Sequence, residues 1–246
     1  MGDNQIATTN MYTKNRRITE KYNSYSLLGK KCFIIASGPS LSNGIDFEPL
    51  KNEFTIGINR EFERYPTNLL YCMDYEFYSN TIAKKFDEIY RTNVLEKFLQ
   101  FKGDKVFPAV AADWKFGHCI YVVNRNYVEE INRVDLDKGV YVGTNSGFGA
   151  VMLAISMGCR DIYLLGFDMK TTDKTHSHTG YKCQSVEECN ERTNRFREEF
   201  EKWAPRFITE KVNITVCYQD NPEESSLNCF TKKKWRDIIN DLQTTL

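Results

Sequence analysis

Along this chain, short apolar runs of five or six residues alternate with longer amphipathic stretches. The runs Cys32–Ala36, Phe54–Ile58, Leu69–Met73, Lys105–Val110, Cys119–Val123, Asp161–Gly166 and Ile214–Tyr218 predict strands. Between them, helices are predicted over Tyr75–Tyr90, Ser146–Met157, Ser185–Trp203 and Lys232–Leu242. The second of these is small and apolar, as a buried helix is. The third is strongly charged, with Val186, Cys189, Phe196, Phe200 and Trp203 at near-helical spacing. Such alternation is the pattern of an α/β domain, a mostly parallel sheet with helices on both faces. Residues 1–25 read as a polar N-terminal arm and 26–246 as one domain; the Lys232-Lys233-Lys234 run reads as the solvated face of the last helix.

Composition narrows the function classes. At 246 residues, with 41% hydrophobic and 27% charged side chains, the chain is long enough to bury its own core. Its 33 basic and 33 acidic residues cancel, which argues against a general grip on nucleic acid or an anionic membrane. The eight cysteines are scattered without a Cys-x-x-Cys pair and read as free buried thiols of a reducing compartment. The polar N-terminus lacks the apolar segment of a secretory signal. The longest uncharged stretch, Gly139 to Cys159, is interrupted by Gly, Thr, Asn and Ser, so no transmembrane segment is predicted. A cytoplasmic location is the expectation, and a homo-oligomer is compatible with it.

In an open parallel sheet, ligands bind beyond the carboxyl ends of the strands, so the polar residues that follow each apolar run carry the information. These are Ser37-Gly38-Pro39-Ser40, Asn59, Asp74, the stretch Gly143-Thr144-Asn145-Ser146-Gly147 that opens the apolar helix, and Asp168-Met169-Lys170. In the first of these turns, glycine lets backbone approach a ligand and proline sets the bend. Its hydroxyls suit the cap of a helix whose free N–H groups attract phosphate. It is neither the Walker sequence nor the dinucleotide fingerprint, because no Gly-Lys-Ser/Thr follows and the next glycine is Gly44. The stretch before the apolar helix offers hydroxyls, an amide and flexible backbone at a positive dipole end. A helix cap explains either turn alone; two in one sheet favour an anion or nucleotide cradle.

Of three histidines, His176 and His178 fall in a polar loop shortly after Asp168, where a near-neutral pKa suits proton transfer. The plain alternative is a pair of solvated loop side chains. A His-x-His metal site completed by Cys183 lacks a fourth ligand. Asp135-Leu136-Asp137 has the Asp-x-Asp form that many sugar transferases use for a metal diphosphate, but in its charged connector it reads as a solvated turn.

Two blocks resemble known families. Cys32-Phe-Ile-Ile-Ala-Ser-Gly-Pro-Ser-Leu, with Ile45-Asp46-Phe47-Glu48-Pro49-Leu50 and Ile56-Gly57-Ile58-Asn59, resembles the opening of the bacterial lipooligosaccharide sialyltransferases. The stretch from Ser146-Gly147 through Gly158-Cys-Arg-Asp-Ile-Tyr-Leu-Leu-Gly166-Phe-Asp168 is similar to their second block. The same blocks, with Thr175-His176, resemble the archaeal 6-hydroxymethyl-dihydropterin pyrophosphokinases and related flagellin-modification proteins. The resemblance implies a single Rossmann-like domain with a nucleotide held across Gly38, Pro39, Ser40, Asn59, Asn145, Ser146 and Gly147. For the sialyltransferases it implies a cytidine monophosphate sugar as donor, a glycan or small-molecule acceptor, His176 or His178 as base, and no required cofactor. For the pyrophosphokinases it implies ATP and Mg²⁺, with Asp74 and Asp168 as ligands. Two positions depart from the sialyltransferases: Gly143 stands where they carry an arginine, and Met169-Lys170 where they carry a phosphate-binding tyrosine, a contact that Lys170 would replace with charge.

Overall fold

The computed structural model describes residues 16–74, 77, 88–109, 120–126, 136–170, 185–219 and 221–244. Every apolar run predicted as a strand forms one, and all described pairings are parallel. The strands are β1 (Arg16–Arg17), β2 (Lys31–Ile35), β3 (Phe54–Ile58), β4 (Leu69–Tyr71), β5 (Asp104–Ala109), β6 (Ile120–Asn126), β7 (Val140–Tyr141), β8 (Asp161–Leu165), β9 (Asn213–Tyr218) and β10 (Thr231–Lys234). Their order across the sheet is β1-β6-β5-β4-β3-β2-β8-β9-β10, with β7 paired to β6.

Successive side chains of a strand face opposite ways, and in β2 both sets are buried. Cys32 and Ile34 face one layer, Phe33 and Ile35 the other. The first layer holds α2 (Ser146–Ser156) and α3 (Val186–Thr209). The opposite face carries α1 (Glu88–Gln100), which contributes Val94 and Phe98, and α4 (Trp235–Gln243), which contributes Trp235, Ile238 and Leu242. Residues Phe148 to Ser156 of α2 are all buried, as its uniformly apolar sequence requires. The chain thus forms a single α/β Rossmann-like domain of three layers.

From β2 the chain walks outward through β3, β4, β5 and β6, then returns to lay β8 and β9 on the other side of β2. Crossovers between parallel strands are right-handed, so walks in opposite directions load opposite faces. The connections after β2 and β4 therefore pack below the sheet and α3 above it. The carboxyl ends of β2 and β8 are left uncovered between the layers, where such sheets take ligands.

Several elements differ from expectation. The lysine run is not a helix face: Thr231–Lys234 is the edge strand β10, paired to β9, and α4 starts only at Trp235. Lysines on an edge strand block further pairing. Helix α3 runs on past Trp203 through Pro205 to Thr209. An interior proline costs about 3 kcal/mol, but the buried Trp203 and Phe207 on either side contribute about 2–3 kcal/mol each, and packing wins. The predicted helix at 75–90 lies mostly outside the described residues, while α1 covers a stretch the periodicity did not mark. Within the expected arm, Arg16–Arg17 pair with β6 and Ile18 is 1% exposed. The expectation of free thiols is corrected at Cys189, which is disulfide-bonded; Cys32, Cys72, Cys159, Cys217 and Cys229 are free. Asp135 lies outside the described residues; Leu136 and Asp137 begin a short 3-10 turn. No described helix is long and apolar enough to cross a membrane.

Candidate functional site

A cavity of about 450 Å³ opens where the ends of β2, β3, β4 and β8 meet the start of α2. That size suits a small-molecule ligand. It is bordered by Ser37, Gly38 and Pro39, by Asn59, Met73 and Asp74, by Thr144, Asn145, Ser146 and Gly147, and by Asp168, Met169 and Lys170. Of the strand-end residues singled out above, Ser40 and Gly143 do not border it. His176 and His178 lie outside the described residues.

The first turn is held by a carboxylate from across the switch point. Asp168, 3% exposed, accepts from Ser40 N at 2.7 Å and Ser40 Oγ at 2.5 Å, and from Tyr218 Oη at 2.6 Å. The Ser40 hydroxyl is therefore engaged by Asp168, and Ser40 does not border the cavity. Gly38 donates to Gly166 O at 2.9 Å, and a Cβ there would sit 2.8 Å from the Asp168 carboxyl carbon, so only glycine allows the two loops to meet. Burial, and then the neighbouring Asp168 charge, raise the Tyr218 phenol well above its ordinary pKa, so it stays a donor.

The second turn is held in a parallel way. Asn145 is the N-cap of α2: its side-chain oxygen accepts from Phe148 N at 2.8 Å, and its Nδ2 donates to Glu199 at 3.2 Å. Glu199, 9% exposed on α3, also accepts from Thr144 N at 2.9 Å and Thr144 Oγ1 at 2.6 Å. With Phe148 N capped and Gly149 N bonded to Asn145 O, the N–H groups of Ser146 and Gly147 have no partner within the helix. The Ser146 hydroxyl accepts from Met73 N at 3.0 Å, which leaves its own proton free to donate. Gly143 takes a left-handed φ of 62°, and any side chain there would run into Glu199 and Phe148. The arginine of the sialyltransferase pattern has no room at this position.

The other wall carries charge. Lys170 borders the cavity beside Met169, and α3 adds Arg192, Thr193 and Phe196 from one helix face. Arg192 pairs loosely with Glu188, at 3.6 Å, on the preceding turn. Asn59 and Met169 both hold left-handed backbones, at φ 56° and 50°, a strain that gathers at functional sites. The Asn59 side-chain oxygen is buried without a hydrogen-bond partner.

Sequence reasoning missed Glu199, Tyr218, Arg192, Thr193 and Phe196. For Glu199 a signal existed: it sits three residues after Phe196 and four before Trp203, on the apolar stripe of α3, where a charge needs a reason. As Mg²⁺ ligands, Asp74 and Asp168 make a poor pair, since Asp168 already serves three donors with its two oxygens. Among the described residues, no group of three or more His, Cys, Asp or Glu side chains is placed to hold a metal.

The fold is similar to that of a solved enzyme. The structure of a MAf glycosyltransferase from Magnetospirillum magneticum AMB-1 superposes with a TM-score of 0.51 over 96% of this chain, at 12% identity. This chain spans 39% of the length of that one, and at such identity the likeness speaks for the architecture. No protein-family model matches the sequence, and no curated protein matches it.

Proposed function

We propose that this protein is a nucleotide-dependent transferase that moves a sugar from a nucleotide-activated donor to an acceptor hydroxyl. The observation that carries this reading is the start of α2. Two helix-end N–H groups and the Ser146 hydroxyl proton open onto one cavity, which Lys170 and Arg192 also border. Such a set of donors selects an anion, and the phosphate of a nucleotide is the anion it fits. The fold shared with a glycosyltransferase, and the resemblance of the two sequence blocks, support the class of reaction.

In this reading His176 or His178 takes the proton of the acceptor hydroxyl. The acceptor oxygen then bonds to the anomeric carbon, whose bond to phosphate oxygen breaks with its electron pair leaving on the phosphate. Charge grows on that phosphate through the step, and Ser146, Lys170 and the α2 N–H groups stabilise it. The donor is of the cytidine monophosphate sugar kind.

Thermal-shift titration with cytidine, uridine, guanosine and adenosine nucleotides, with and without Mg²⁺, tests the reading. A ligand at about 100 times its dissociation constant adds roughly 2.7 kcal/mol of stability. Assays of transfer from the stabilising nucleotide's sugar conjugate should then show product, lowered about 10²–10⁴-fold by either His176→Ala or His178→Ala. A reaction abolished by chelator and restored by Mg²⁺ would point instead to diphosphate transfer from ATP. Binding without any transfer would leave a nucleotide-binding protein with no catalysis.

A further inference from the structure

The donors of the second turn converge on one oxygen. Thr144 N, Thr144 Oγ1 and Asn145 Nδ2 all donate to Glu199 Oε2, and Asn145 is the cap residue of α2. A carboxylate in this place acts twice on an anionic guest, with opposite signs. Its hydrogen bonds hold the turn at which Ser146 and Gly147, whose N–H groups have no partner within the helix, border the cavity. Its charge offsets part of the positive helix end that the guest would use. Among the described residues no cation pairs with that carboxylate: Arg192 pairs with Glu188, and Gly143 leaves no space for a side chain.

We propose that Glu199 is a positioning residue that holds the α2 turn through its hydrogen bonds while its charge keeps phosphate affinity low, so that a nucleoside phosphate product leaves after transfer. The hydrogen bonds and the charge are separable. A glutamine retains an acceptor oxygen for the same donors and removes the charge, whereas alanine removes both. The proposal rests on the nucleotide reading above.

Isothermal titration calorimetry of the full chain with AMP, CMP, GMP, UMP and inorganic phosphate separates these effects. Glu199→Gln is expected to fold and to bind the monophosphate that the wild type binds about two- to thirty-fold more tightly, the range for one charge at a helix end. Glu199→Ala is expected to bind it about tenfold or more weakly, because the turn loosens. Glu198→Gln, an exposed neighbour, should stay within about twofold of wild type on the same scale. A residue with a merely structural role would weaken binding in both Glu199 variants. Equal or weaker binding by Glu199→Gln overturns the proposal, and so does failure of that variant to fold, since the charge would then be what holds the turn. If the wild type binds none of the probes, the nucleotide reading itself falls, and the proposal with it.

Discussion

Replacing Asp168 with alanine tests the clamp on which the first turn depends. The side chain is 3% exposed and serves Ser40 N, Ser40 Oγ and Tyr218 Oη at 2.5–2.7 Å. Hydrogen bonds to a charged group contribute about 1.5–3 kcal/mol each, and their loss orphans the partners left buried. The contributions are not additive, and removing the acid also removes the cost of burying it, so a net loss of about 3–5 kcal/mol is expected. For a chain of this length that corresponds to a fall in Tm of about 6–20 °C. Urea unfolding followed by circular dichroism gives the free energy directly. A double-mutant cycle sharpens the test: Tyr218→Phe should cost about 1–2 kcal/mol alone and close to nothing in the Asp168→Ala background. A loss below about 1 kcal/mol for Asp168→Ala, or full additivity in the cycle, would refute the clamp.

Glu61 is fully buried, neither of its oxygens has a hydrogen bond, and Arg64 Nη1 lies 3.8 Å from Oε2. Burial pushes its carboxyl up to about 8 against the pull of Arg64, so the folded state holds a proton that the unfolded state, near 4.3, gives up. The stabilisation is present in full below about 4.3 and is lost as pH rises toward 8, by at most about 1.4 kcal/mol per pH unit; Glu61→Gln should flatten that slope in denaturant titrations across pH. Gly143→Ala, at φ 62° and in collision with Glu199, should lower stability by about 2–4 kcal/mol, and a variant melting with the wild type would contradict the geometry. Ser146→Ala removes a ligand donor and the acceptor of Met73 N, and nucleotide affinity measured by calorimetry should fall about tenfold.

The sheet was legible because its middle strands are buried on both sides. Cys32-Phe33-Ile34-Ile35 has no polar member to mislead the eye, and β3, β8 and β9 are mostly apolar and buried in the same way, with Thr55, Asp161, Asn213 and Thr215 as their polar members. The strand-end rule then led to Gly38, Asn59, Ser146 and Asp168 without knowledge of the contacts. Elements decided by tertiary packing were not legible. The lysines of β10 are strand residues only because β9 offers an edge, and Pro205 stays helical only because Trp203 and Phe207 are anchored in the core. The clamps were hidden for the same reason. Asp168 reads as a ligand group until Tyr218, 50 residues on, is seen to occupy it, and Glu199 is one acid among many on a charged helix until its place on the apolar stripe is noticed.

A crystal structure with the stabilising nucleoside phosphate bound tests most directly whether the α2 end is where the anion sits. Phosphate oxygens are expected about 2.7–3.2 Å from the backbone nitrogens of Ser146 and Gly147, with Lys170 or Arg192 on their far side. A nucleotide seated elsewhere, with those two N–H groups facing only water, would contradict the account.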